Sequence, residues 1–192
     1  MRPVALRTTR LVLDLPTPAD AELVTHYCQD PLFERYLTTP WPYSRSDADA
    51  FLGTHVPESW ASGVELTWAI RRASGAPVLG VISVRETQHE LGFWLGAEHR
   101  GAGLMSEAAT AVTEWTLGGG IRGAKTVFWR AVVGNDASAR VARAAGFRRI
   151  EPDDATVPTR DGGTLPAWYA VREAELDPRA HASWLPILGD DR

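Results

Sequence analysis

A single cysteine, Cys28, stands in the 192 residues, so no disulfide can close within the chain and a secreted scaffold held by cystines is excluded. No apolar run approaches the roughly 20 residues that a membrane-spanning helix needs. Met1-Arg2-Pro3 leads into no hydrophobic segment of the secretory type, and a cytoplasmic protein without membrane association is expected. Positive charge is not in excess either. Twenty Lys and Arg stand against 24 Asp and Glu, for a net charge of -4, which argues against a general nucleic-acid binder. The five histidines, His26, His55, His89, His99 and His181, show no paired metal-ligand spacing with Cys28, and no metal site is expected. Repeats, low-complexity tracts and proline- or serine-rich linkers are lacking as well. With 44% hydrophobic residues the chain can bury one good core, so a single domain over residues 1–192 is expected, with a loose tail near Gly189-Asp190-Asp191-Arg192.

What the chain does have is concentrated between residues 90 and 150. The apolar stretch Leu91-Gly92-Phe93-Trp94-Leu95 is followed by His99-Arg100-Gly101-Ala102-Gly103-Leu104-Met105-Ser106-Glu107-Ala108. A strand running into a basic glycine loop and then into a helix aims unpaired backbone N–H groups at an anion, most naturally a diphosphate. Gly101 and Gly103 remove Cβ atoms that would hold the backbone away, and Arg100 adds a fixed positive charge. Leu104, Ala108, Ala111, Val112 and Trp115 recur at helical spacing, and Gly118-Gly119-Gly120 ends the run. An ordinary strand-to-helix turn would look the same. A P-loop is excluded because Leu104-Met105, not lysine and a hydroxyl residue, follow the last glycine. A dinucleotide fingerprint is weak, since Ser106 replaces its third glycine and the next strand ends Val132-Val133-Gly134-Asn135 with no carboxylate.

The rest of the chain reads as strands followed by helices in crossovers. Residues 10–15 form a strand, a helix opens at Pro18-Ala19-Asp20 and runs to about Cys28, and a second helix runs from Ser46 or Asp47 to His55. Residues 67–70, 78–84 and 90–95 read as three antiparallel strands, the first two joined by Ser74-Gly75-Ala76-Pro77. A mostly buried strand covers 126–133, a short helix capped at Asn135 ends at Gly146, and 147–150 with 167–171 close the sheet. That order indicates an α+β domain with a mixed sheet.

Glu90-Leu91-Gly92-Phe93-Trp94-Leu95, Arg100-Gly101-Ala102-Gly103 with Ser106-Glu107-Ala108, and Asn135-Asp136-Ala137-Ser138 leading to Gly146-Phe147 occur in the order and spacing of one family. The chain resembles the GNAT superfamily of acyl-CoA-dependent N-acyltransferases, and within it the Rim-type branch of ribosomal-protein-alanine acetyltransferases. Thr9-Arg10-Leu11-Val12-Leu13, Pro18-Ala19-Asp20-Ala21 and Asp30-Pro31 resemble the opening of that branch. The resemblance implies a mostly antiparallel central sheet with helices on both faces and a splayed central strand pair. It implies acetyl-CoA as acyl donor and a direct attack by a primary amine, on a small molecule or a protein amino terminus, in a monomer or homodimer. A non-catalytic CoA-sensing or partner-binding module of the same fold is the rival reading.

Transfer of an acyl group to an amine needs a deprotonated nucleophile, a stabilised oxyanion and a proton for the departing thiolate. By the resemblance, the segment Phe93-Trp94-Leu95-Gly96 pairs with the pantetheine arm, and the N–H groups from Gly101 through Ser106 hold the diphosphate at the helix N-terminus. Arg100, Gly101, Ala102, Gly103, Leu104, Met105 and Ser106 are thus expected at the cofactor. Met105 departs from the usual Gly or Ala and either crowds the phosphate or points away. Asn135 either caps its helix or faces the coenzyme arm, and Ser138 is the available proton donor. Glu90 is the expected base, with Glu86, His89, Glu65 and solvent as alternatives. Tyr36, Trp41 and Tyr43 are expected on the acceptor side, where flat rings hold an ammonium, whereas Trp68, Trp115 and Trp129 are expected in the core.

Overall fold

In the computed structural model, which describes residues 1–189, one mixed sheet accounts for nearly all the strands. The strands are β1 (Leu6–Arg7), β2 (Val12–Asp14), β3 (Glu65–Arg71), β4 (Gly80–Arg85), β5 (Glu90–Leu95), β6 (Thr126–Val132), β7 (Arg148–Ile150), β8 (Thr156–Pro158) and β9 (Thr164–Glu173). Their spatial order is β1-β2-β3-β4-β5-β6-β9-β7, with β8 paired to β9 off that path. Every pairing is antiparallel except that of β5 with β6. The expected β5 limits hold, whereas β1 and β8 are too short for a period-2 pattern to reveal them. Asp190, Asp191 and Arg192 of the expected tail lie outside the described residues.

The helices are α1 (Ala21–Tyr27), α2 (Pro31–Tyr36), α3 (Arg45–Ala50), α4 (Val56–Ser62), α5 (Leu104–Trp115), α6 (Asp136–Ala144) and α7 (Leu185–Leu188). Local chemistry explains the starts. Asp30 Oδ1 accepts the Leu32 N–H at 2.9 Å with Pro31 in the first turn, and Ser44 with Asp47 forms a capping box ahead of α3. The helix expected to end at His55 instead passes through a wider turn, Phe51–His55, into α4 and stops at Gly63 with φ +81°. Pro57 is tolerated because it falls in the first turn of α4, just past that wider turn, where the regular ladder is already interrupted.

Side chains of alternate β3 residues feed cores on opposite faces of the sheet. Leu66, Trp68 and Ile70 join α4, α5 and α6 residues in the larger core, and Ala69 joins Val78 and residues of α1 and α3 in the smaller one. Helices thus cover both faces. Trp68 stands edge-on to Trp60 at 5.1 Å and to Trp115 at 5.3 Å, and Trp129 to Trp184 at 5.5 Å, as core residues. Buried Arg71 ties the first strands together: its guanidinium reaches Asp14 at 2.7 Å, Asp20 at 2.7 Å and the Ala76 carbonyl at 2.9 Å. Burial alone would raise the Asp20 carboxyl, but hydrogen bonds from Arg71 and the Thr17 N–H, with the Arg71 charge, outweigh it and hold the group below the usual carboxylate range.

One irregularity organises the rest. β5 and β6 share only the Glu90–Phe128 position, where the Phe128 N–H donates to the His89 carbonyl at 2.9 Å, and from there the strands part.

Candidate active site

The parted strands leave a cleft of about 1060 Å³, lined by β5, β6, the start of α6, α2 and the β8–β9 hairpin. Strand alternation fixes which backbone groups face it. Gly96 N–H bonds to the Leu79 carbonyl, so on β5 the even residues bond to β4, and the groups of Leu91, Phe93 and Leu95 turn toward β6. By the same reasoning the Val133 N–H bond to Pro166 leaves Arg130 and Val132 turned toward β5. Past the shared rung, Phe93 and Arg130 present free strand edges across the gap.

Trp94 is half-buried, edge-on to Phe33 at 5.5 Å and Tyr27 at 6.4 Å, and forms part of the cleft wall. The Leu95 side chain is buried, and its carbonyl is taken by Arg100 through Nε at 3.1 Å and Nη2 at 2.9 Å. Arg100 also pairs with Asp30 at 2.7 Å. It is therefore not the free phosphate cation that the sequence suggested: it bolts the end of β5 to the cap of α2, while its charge stays beside the loop.

Gly101 and Gly103 have φ of +80° and +70°, and an added Cβ at Gly101 would meet nothing within 4 Å. Arg10 Nη1 takes the Ala102 carbonyl at 2.9 Å and Nη2 the Gly103 carbonyl at 3.4 Å. In a trans peptide the N–H opposes the C=O, so the Gly103 and Leu104 N–H groups point away from Arg10. Glu107 holds Arg10 through Nε at 2.5 Å and the backbone N–H at 2.9 Å, and accepts the Thr8 hydroxyl at 2.5 Å. The first intrahelical bond of α5 is Glu107 N–H to Gly103 C=O, which leaves the N–H groups of Leu104, Met105 and Ser106 ahead of the ladder. Leu104 and Met105 are buried in the larger core at 2% and 5% exposure. Met105 therefore points away from the loop surface, and the loop fits a diphosphate: open approach, N–H groups turned one way and a helix dipole behind them.

At the far wall, Asn135 caps α6, its Oδ1 accepting the Ser138 N–H at 3.3 Å, and both residues line the cleft. The Trp129 indole N–H donates to Ser138 Oγ at 3.2 Å. Indole is a donor only, so the serine proton is left free for another acceptor.

Glu90 is buried where β5 and β6 meet. Its Oε1 accepts from Arg85 Nη1 at 2.7 Å and its Oε2 pairs with Arg130 Nε at 2.9 Å, while Arg130 Nη1 reaches the Tyr169 hydroxyl at 3.3 Å. Of the carboxylates and histidine expected there, Glu90 alone lines the cleft; Glu86, His89 and Glu65 do not. Glu65 is engaged by Ser83 at 2.6 Å and His55 at 3.3 Å.

The acceptor aromatics divide. Tyr36 lines the cleft, and its hydroxyl donates to the Gly134 carbonyl at 3.0 Å. Trp41 and Tyr43 do not line it, which corrects the expectation. The chain after α2 folds back on the smaller core, where Tyr43 is 6% exposed and Trp41 packs beside it. Burial pushes the Tyr43 phenol well up, so it stays neutral.

Arg160 was not legible as a site residue. From the turn Thr159-Arg160-Asp161-Gly162 it donates to the carbonyls of Thr39 at 2.6 Å, Leu37 at 2.8 Å, Phe33 at 3.1 Å and Glu34 at 3.2 Å. An Asp-Gly pair suits a hairpin turn, but no local rule says that the arginine before it reaches back to cap α2. Arg85, Arg130 and Trp129 were likewise unremarked as cleft residues.

A sheet opened at its parallel pair, with a glycine loop and a helix N-terminus beside the gap, defines a fold that handles an acyl-coenzyme A thioester. The model of the acetyltransferase (GNAT) domain matches residues 10–148, and the chain belongs to that family. It is an acetyl-CoA-dependent N-acetyltransferase. No curated protein matches the chain in sequence. Solved structures share the fold at low identity. The microcin self-immunity acetyltransferase MccE, in complex with acetyl-CoA and AMP, is 19% identical with a TM-score of 0.72, covering 86% of this chain and 93% of its own. The ribosomal α-N-protein acetyltransferase RimL in complex with coenzyme A is 19% identical, TM-score 0.71, over 91% and 100%. The ribosomal-protein alanine acetyltransferase from Vibrio fischeri is 15% identical, TM-score 0.71, over 91% and 100%. No helix among the described residues is long and apolar enough to cross a membrane.

Proposed function

We propose that residues 1–192 act as one domain, in the cytoplasm, that acetylates the primary amine of a small molecule or of a protein amino terminus. The observation that carries this reading is the single rung between β5 and β6, which opens two free strand edges beside the cap of α6. Acetyl-CoA supplies the reactive thioester. Backbone N–H groups from Gly101 through Ser106 hold its diphosphate, and the Phe93 and Leu95 edge of β5, with Trp94 behind it, orients the arm and the acyl carbonyl. Asn135 holds the N-terminus of α6 toward the arm. Ser138, its oxygen accepting the Trp129 N–H, points its hydroxyl proton at the departing sulfur, and the α6 dipole favours the developing thiolate. The proton that completes the thiol comes from cleft water through Ser138, which takes a proton back from that water and stays neutral.

Glu90, the base expected from sequence, supports a different role. Both of its oxygens are engaged by guanidiniums, so in this reading Glu90 acts as the positioning residue that aligns Arg85 and Arg130, and solvent in the cleft takes the amine proton. Tyr36 closes the acceptor side. A ribosomal-protein amino terminus, the kind of acceptor named for RimL, fits this reading, as does a small-molecule amine, in a monomer or a homodimer. The experiment is thiol release from acetyl-CoA with a panel of primary amines. Amine-dependent release at rates above that with water supports the reading, and coenzyme binding without any acceptor-dependent release would overturn it in favour of a sensing module.

A further inference from the structure

Resting on that reading, we propose that the acceptor carries an oxyanion, a carboxylate or a phosphate, beside its amine, and that Arg85 and Arg130 bind it at the floor of the cleft. Both guanidiniums line the cleft and converge on one carboxylate, Glu90. Glu65 approaches Arg85 Nε only at 4.0 Å, is engaged elsewhere, and does not line the cleft. The cleft face of this cluster thus shows two cations and one anion. Among the described residues the Nη2 groups of Arg85 and Arg130 have no hydrogen-bond partner. The Arg85 side chain is 45% exposed and the Arg130 side chain 25%, so both are reachable.

The rim supplies no compensating acid. Arg35 and Arg160 there are balanced by Glu34 and Asp161, and Asp161 is already held by Thr159. A positive floor in a chain of net charge -4 is the reverse of what holding an ammonium by charge would require. It favours the neutral amine, the reactive form, and leaves donors on two guanidiniums, the groups best suited to a carboxylate or phosphate. The location is apt. Glu90 precedes Phe93 by three residues, roughly 10 Å of strand, so an amine at the Phe93 edge keeps its anionic substituent within reach of two long side chains. Arg160, roofing the cleft onto α2, bounds that acceptor on the other side.

The test compares matched acceptors differing only in the anion: phosphoethanolamine against ethanolamine, and peptide amides beginning with aspartate against asparagine, or phosphoserine against serine. The expected result is a kcat/KM higher by about tenfold or more for the anionic member of at least one pair. Which pair responds identifies carboxylate or phosphate, free or peptidic. R85Q and R130Q should each reduce that preference, raising KM for the anionic acceptor more than they change kcat for its neutral partner. Because either change alone leaves Glu90 with one partner, R85Q/E90Q/R130Q serves as the fully neutral control, in which the preference should vanish. Equal kcat/KM for every pair in the wild type, or a preference that survives in the triple variant, overturns the proposal. Should no amine be acetylated at all, the proposed function fails instead. The anion site is then read by calorimetry of phosphoethanolamine and ethanolamine on the CoA-loaded protein, where equal affinities overturn it.

Discussion

At the scale of single residues, the outcome depends on which atoms of a side chain are already spoken for. Ser138 is an instance: its oxygen accepts from Trp129, so only its proton is left to give. Ser138→Ala should lower kcat per folded molecule while acetyl-CoA affinity stays near wild type. Stability should fall by about 1 kcal/mol, because the buried indole N–H loses its acceptor. An unchanged kcat at saturating substrates would make Ser138 a helix residue only. Gly103 shows the complementary case, in which the absence of a side chain matters. Its φ of +70° at the start of α5 suits glycine, and an added Cβ would face Arg10 Nη2 at 3.6 Å. Gly103→Val should therefore abolish CoA binding by displacing the Arg10 clamp and the loop N–H groups it orients, and also cost about 1–2 kcal/mol in the left-handed region. Titration calorimetry and thermal melting separate the two effects, and retained CoA affinity in the folded variant would remove the diphosphate assignment.

Between elements, charged side chains act as bolts. Arg71 joins β2, β3 and the turn before α1, and the lowered Asp20 carboxyl makes this bolt pH-dependent. A carboxyl held below its unfolded value, about 3.9, adds stability that is complete above that value and is lost as pH falls through the folded one. Asp20→Asn should therefore destabilise the protein by about 3 kcal/mol at neutral pH, and the gap to wild type should narrow below about pH 3.9. Urea unfolding at the two pH values measures it; a gap that does not narrow would show that Asp20 gains nothing from its charge. The hairpin bolt is exposed and weaker. Arg160→Ala should cost about 1 kcal/mol or less yet speed amide exchange in α2, whose last carbonyls it caps, and raise KM for the acceptor more than KM for acetyl-CoA. Unaltered exchange in α2 would refute the link between hairpin and helix.

For the molecule as a whole, the sheet is continuous except at the β5–β6 opening, so a ligand that bridges that gap joins strands the fold leaves apart. CoA at about 100 times its dissociation constant should add about 2.7 kcal/mol. For a chain of this size that is a rise in Tm of roughly 5–10 °C. ATP or NAD at the same concentration should raise it far less, since neither supplies a pantetheine arm to pair with the β5 edge. Differential scanning calorimetry makes the comparison, and equal protection by ATP would mark a general nucleotide-phosphate site.

The chain on its own determined whatever rests on near neighbours. The limits of β5, the start of α5 after Gly103 and the α6 cap at Asn135 follow from periodicity, positive-φ glycines and orphan N–H groups, all set within a few residues. The motif order from Glu90 to Phe147 carried the fold and the identity of the acetyl donor in the same way. Short α2 and the brief strands β1 and β8 escaped notice, because two to six residues hold too little pattern and take their shape from partners. Only the tertiary structure decided where the side chains of the cleft went. Tyr43 and Trp41 were drawn to the smaller core by apolar burial, Arg100 was drawn to Asp30, and Glu90 was enclosed by two arginines. Arg160 caps carbonyls as far as 127 residues away in sequence. Such choices depend on which groups folding brings within about 3 Å of one another, and in this protein most of those groups come from segments far apart in the sequence.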